Sequence, residues 1–229
     1  MHFHTRLLGL LLATGSLGAA AQQSAEVTVS GSVTPVPCNV VLAGNGVADF
    51  GALVASDFSA TDPNQLGSQF IGTTVTCTSG TQVAIEVTDN NSATAAPDNT
   101  PIIVGATATG NNVASSASAS SFMGMGTAPN GAAIGNYIIA VTNAISDSTP
   151  AEMIRSEDSG ATWAAAAHGV ARENIYYTWA TPGQTAPLSV STATIDLKVT
   201  AAMDDMTTMN ADADNITLAG SATLTLVYL

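Results

Sequence analysis

Two cysteines, three histidines, seven methionines and 17 acids are the side chains through which this 229-residue chain could do chemistry. A serine or cysteine nucleophile needs a base within hydrogen-bond reach. His2 and His4 fall in an N-terminal segment expected to be removed as a signal peptide, so only His168 is placed to serve, and it follows a run of alanines and precedes Gly169. That setting reads as a loop. No catalytic residue is assigned and the chain is not expected to be an enzyme. One histidine with scattered acids gives no zinc set. The stretch holding Asp204, Asp205, Asn210, Asp212, Asp214 and Asn215 offers hard oxygen ligands for calcium, but it lacks the glycine and closing glutamate of an EF-hand. It reads as a solvated acidic loop ahead of the last strand. Met123 and Met125, with Met203, Met206 and Met209, could offer thioethers to copper. Filling irregular core space is the commoner use of methionine. No metal or cofactor is expected.

The sharpest motif is Ser156, Asp158, Gly160, Thr162 and Trp163, which match in full the Asp-box pattern S-x-D-x-G-x-T-W found repeatedly in sialidases and other β proteins. Physically it describes a hairpin turn. Serine and aspartate oxygens accept turn amides, glycine supplies a positive φ, and tryptophan anchors the turn on the sheet. A sialidase-type site grips its substrate carboxylate with three arginines, because guanidinium forks match carboxylates. Beyond Arg6 this chain has only Arg155 and Arg172. The motif is assigned as a structural turn.

The first residues carry Arg6 and no acid, then an apolar run over 7–12 and small residues up to Ala21. That order predicts a secretory signal peptide over residues 1–21, with the mature part at 22–229. No later segment holds the roughly 18 apolar residues of a membrane span, so no membrane insertion is expected. Without residues 1–21, Arg155, Arg172 and Lys198 stand against all 17 acids. Three scattered cations cannot make a phosphate footprint, so nucleic acid is excluded as a partner. The negative charge reads as a solubility device. Cys38 and Cys77 both lie in the exported part, where disulfides persist, and are expected to pair. Closing a loop of about 40 residues contributes ~4 kcal/mol on the chain-entropy account.

The elements that would position these groups are strands. Period-two alternation in short segments, separated by Gly, Asn, Asp and Pro, predicts an all-β sandwich or barrel, here as a single domain over 22–229. The clearest segments are 26–33, 69–77, 82–88, 136–142, 174–180, 192–201 and 216–228. In the last, Ile216, Leu218, Ala222, Leu224, Leu226 and Tyr228 fall on one face. Residues 92–121 are low in complexity and predict a long surface loop with an edge strand at 101–104.

The order Val27, Val29, Gly31, Val33, Cys38 resembles the V-x-F/V-x-G-x-V-x-x-x-x-C opening of major pilins of chaperone-usher fimbriae. The strand that ends on Cys77 fits their second cysteine. The C-terminal ATLTLVYL, with Tyr228 next to last, is similar to the strand such subunits present to a periplasmic chaperone. A nearer likeness is to a family of fimbria-associated secreted bacterial proteins of unassigned function. It rests on the P-x-x-C of Pro35 and Cys38, the ADFG turn at 48–51 and the GSATLTLVYL ending at 220–229.

The resemblance implies an immunoglobulin-like, pilin-like antiparallel β-sandwich with one disulfide, left incomplete around a hydrophobic groove. A chaperone strand, then the N-terminal extension of the next subunit, would fill that groove by β-augmentation. Val27 and Val29 would be the donor-strand knobs, and Leu224, Leu226 and Tyr228 the chaperone-facing last strand. Periplasmic chaperone, usher and neighbouring fimbrial subunits would be the partners, and the route periplasm, then fimbrium or cell surface. Only residues 22–26 precede Val27, so a self-completed domain, or a terminating or accessory subunit, remains open. The expected function is a structural or adhesive fimbrial subunit. The alternative is a self-contained secreted sandwich binding a glycan or other surface ligand, with Trp163, Trp179, Tyr176 and Tyr177 as candidates for an aromatic platform, although core packing is the expected role of most of them.

Overall fold

A computed structural model describes residues 37–96, 103–104, 113–114, 121–166, 170–211 and 215–229. The expected signal peptide, the strand at 26–33 with Val27 and Val29, much of the 92–121 stretch, His168, Asp212 and Asp214 lie outside the described residues. The strands are β1 (Cys38–Leu42), β2 (Asn64–Thr81), β3 (Val83–Asp89), β4 (Ile103–Val104), β5 (Val113–Ala114), β6 (Met123–Gly124) and β7 (Gly135–Ser146). There follow β8 (Thr149–Pro150), β9 (Glu152–Ser156), β10 (Ala164–Ala165), β11 (Tyr176–Ala180), β12 (Val190–Met203) and β13 (Ala222–Tyr228), with one helical turn, α1 (Met206–Met209).

Two antiparallel sheets face each other. One runs β1, β2, β12, β7, β6, with β8 also on β7; the other runs β10, β9, β11, β3, β13. Alternation explains the packing. In β12 the inward set Ala193, Ile195, Leu197, Val199, Ala201 and Met203 is buried, and in β3 it is Val83, Ile85 and Val87. Tyr177 and Trp179 of β11 fill the space between the sheets. The fold is therefore an all-β sandwich, as the alternation predicts, and Cys38 and Cys77 form its disulfide. That bond joins directly opposed residues of β1 and β2. A small second cluster of Phe122, Ile138 and Ala202 lies apart from the main core.

Several boundaries differ from the sequence reading. The strand predicted at 69–77 is the middle of β2, which runs for 18 residues. The strand predicted at 216–228 begins only at Ala222. Residues 215–221 leave the ladder because the Ala219 N–H donates to the Met125 carbonyl at 2.9 Å and the Asn91 side-chain amide donates to the Ala219 carbonyl. The expected edge strand near 101–104 is β4, which pairs with β5 in a separate two-stranded sheet. The acidic segment is not wholly a solvated loop. Asp205 caps α1 by accepting the Thr208 N–H at 2.7 Å, and this turn buries Met206 and Met209. The hydrogen bonds from Thr208 hold the Asp205 carboxyl below its usual range.

Candidate functional site

Strands β1 and β13 are the outermost strands on one side of the two sheets, and each pairs with only one neighbour among the described residues. Between them a groove of about 700 Å³ opens into the core. Its floor is Ile71 of β2, Leu197 and Val199 of β12, Tyr137 and Ile139 of β7, and Val87 of β3. Leu42 and Leu224 line its flanks. The two edges meet at one end, where the Cys38 N–H donates to the Tyr228 hydroxyl at 2.9 Å. Towards the other end the wall is the 215–221 segment, with Met125 beside it.

The rim is unusually apolar for surface. Val47 and Leu53 are 65% and 38% exposed, and they bracket the ADFG turn. That turn is held by the Gly51 N–H donating to Asp49 Oδ1 at 2.7 Å, with Gly51 at φ 73°. Sequence reasoning singled out ADFG only as a likeness; the structure makes it a wall of the groove. Asp49 is the single carboxylate on the lining among the described residues. An open apolar trough flanked by strands that have one neighbour each among the described residues can accept an extended chain, whose main chain joins the ladder while alternate side chains enter the trough.

Leu224 and Leu226 of β13 are half-buried against the core, while Tyr228 is 42% exposed and spends its hydroxyl on Cys38. The Asp-box residues form the hairpin between β9 and β10, at the far edge of the second sheet from β13. Ser156 Oγ donates to Asp158 Oδ1 at 2.6 Å and accepts the Gly160 N–H at 2.8 Å. The Thr162 hydroxyl and N–H donate to Asp158 at 2.6 and 2.8 Å, and Trp163 Nε1 donates to the Gly160 carbonyl at 3.1 Å. Hydrogen bonds from Ser156 first, then from Thr162, hold the Asp158 carboxyl down at about 2. Arg155 and Arg172 both pair with Glu157, at 3.3 and 2.5 Å. Neither arginine faces an open carboxylate site.

Of the four candidate aromatics, two are core residues, the role expected for most of them. Trp179 and Tyr177 are 0% and 1% exposed, because the intersheet core takes both rings. Tyr177 is bound in turn: its hydroxyl donates to the Val170 carbonyl at 3.1 Å, and burial pushes its phenol up. Met123, Met125, Met203, Met206 and Met209 are buried as packing. Among the described residues no three His, Cys, Asp or Glu side chains gather as a metal set, and no helix is long and apolar enough to cross a membrane.

Fold and groove together define a disulfide-linked antiparallel β-sandwich with an apolar trough open between its sheet edges. Residues 27–138 match the family described as "Protein of unknown function (DUF1120)". The chain is similar to Protein GltF of Escherichia coli (strain K12), 28% identical over 243 residues that cover 96% of this chain and 94% of that protein. It is likewise similar to the uncharacterized protein YhcF of the same organism, 28% identical over 238 residues that cover 96% and 98% of the two. No solved structure matches the chain.

Proposed function

We propose that this protein is a structural or adhesive subunit of a fimbria-like surface structure, exported and assembled by β-strand complementation with a periplasmic chaperone. The observation that carries this reading is the groove between β1 and β13. Its floor is apolar, its apolar rim is exposed, and among the described residues each flanking strand has a single neighbour. Such an edge is an aggregation hazard until another strand occupies it. The disulfide and the alternation of β13 fit the same assembly.

The test is production of the full chain in a bacterial periplasm with and without a chaperone of the chaperone-usher class. Soluble, chaperone-bound protein that aggregates or is degraded when the chaperone is omitted supports the reading. A stable monomer, indifferent to chaperone and to donor peptides, overturns it.

A further inference from the structure

Beside the groove, and sharing Leu53, Ile216 and Leu218 with its lining, is a second cavity of about 140 Å³. Met203, Met206 and Met209 all line it, and among the described residues the only polar side chain on its wall is that of Asn215. The three methionines come from one short run, MDDMTTM, and they are its buried positions. Met203 ends β12, while Met206 and Met209 stand one turn apart on α1. The backbone that carries them is pinned on several sides. The Met206 N–H donates to the Ser59 carbonyl at 3.2 Å, the Ala211 N–H to the Met206 carbonyl at 3.0 Å, and the Asp204 N–H to the Ile134 carbonyl at 2.8 Å. A fourth thioether is close. A Cβ on Gly135 would lie 2.8 Å from Met203 Cα and 3.0 Å from Met125 Cε, which sets the Met125 methyl beside Met203.

Packing alone does not call for this arrangement, since leucine fills a core with less side-chain freedom to lose than methionine. The neighbouring carboxylates are spent on the backbone and on Thr208. Asp205 accepts the Thr208 N–H and hydroxyl at 2.7 and 2.8 Å, and Asp204 accepts the Asp205 N–H at 2.9 Å. A hard cation such as calcium would find no carboxylate on the described wall, whereas a soft cation finds thioethers. We propose that Met203, Met206 and Met209 form a binding site for a soft monovalent cation of the Cu(I) class, with Met125 in reach as a further ligand. Thioethers are uncharged, so they leave the charge of the ion uncompensated, and a single positive charge costs least to bury. Asp204 and Asp205, within the same run, place negative charge near it without ligating. The rotatable bonds of methionine let each sulfur turn to the ion. The ion enters as Cu(I) and keeps its charge, so nothing is oxidised or reduced.

The test titrates Ag(I), a redox-inert ion of the same closed-shell class, into the full chain in chloride-free buffer by isothermal calorimetry, and Cu(I) in competition with bicinchoninate. Both ions are expected to bind. Met206→Leu/Met209→Leu conserves core volume and is expected to bind about tenfold or more weakly than wild type. Met153→Leu, on β9 and away from the cavity, should bind as wild type does. Thioethers carry no proton in this range, so affinity is expected to be unchanged from about pH 8 to about pH 5.5, whereas histidine ligands would lose the ion as they protonate. X-ray absorption at the copper edge is expected to show sulfur neighbours, a readout on the wild-type chain that stands even where the double variant fails to fold. Methionines with a packing role alone give no binding, and that result overturns the proposal. Equal affinity in wild type and the folded double variant, affinity lost on acidification, or a copper shell of nitrogen and oxygen overturns it as well.

Discussion

Asp158 sits in the β9–β10 hairpin with the Ser156 hydroxyl and the Thr162 hydroxyl and N–H donating to its carboxylate, which is held down at about 2 against an ordinary 3.8. A carboxyl with a depressed folded pKa contributes stability that is fully present above its unfolded pKa and is lost as pH falls through the folded one. The window is therefore from about pH 4 down to about pH 2. Asp158→Ala is expected to be less stable than the wild type near neutral pH, and the gap is expected to close across that window. Urea unfolding followed by circular dichroism, repeated through the acid range, measures it; a gap of constant size down to the lowest pH removes the carboxylate from the account. This turn was legible in the sequence because its bonds join residues within a few positions of one another. The Tyr137 hydroxyl, buried with no hydrogen-bond partner among the described residues, was not. Nothing local distinguishes that tyrosine from the buried, hydrogen-bonded Tyr177.

Strand β1 has five residues and, among the described residues, one neighbour, and the Cys38–Cys77 bond ties it to β2. The cysteines are 39 positions apart. Replacing both by alanine is expected to cost ~4 kcal/mol through the loop-closure entropy of the unfolded chain. The measurement is urea unfolding, joined to hydrogen exchange. Loss of amide protection should begin in β1, since an edge strand has the fewest bonds to hold it, and the groove loses one flank with it. The central strands β3, β11 and β12 were readable because inward side chains alternate with outward ones. The start of β13 was not. Ile216 and Leu218 continue its apolar spacing, but contacts of Ala219 with Met125 and Asn91 pull that stretch out of the ladder.

At the scale of the molecule, stability depends on the two sheets facing each other, and Trp179 is the largest side chain enclosed between them. Trp179→Ala is expected to cost about 3–5 kcal/mol, from lost burial and an unfilled cavity. Thermal unfolding would register it as a large fall in midpoint; a fall of a degree or two would mean that the core collapses around the gap. Gly135 shows the same closeness of packing, since a Cβ there would run into the Ala202 carbonyl. The formal net charge of −13 acts at this scale too, as a self-repulsion that opposes non-specific association.

The sequence alone determined the all-β class, the pairing of the two cysteines and the scarcity of catalytic or cationic groups, because each follows from composition or from a period of two residues. The groove was decided by tertiary structure. Its floor draws Ile71, Val87, Tyr137 and Leu197 from four strands of two sheets, and its opening depends on which strands end up at the edges of the sheets. Alternation states which face of a strand is buried and is silent about which strand lacks a neighbour.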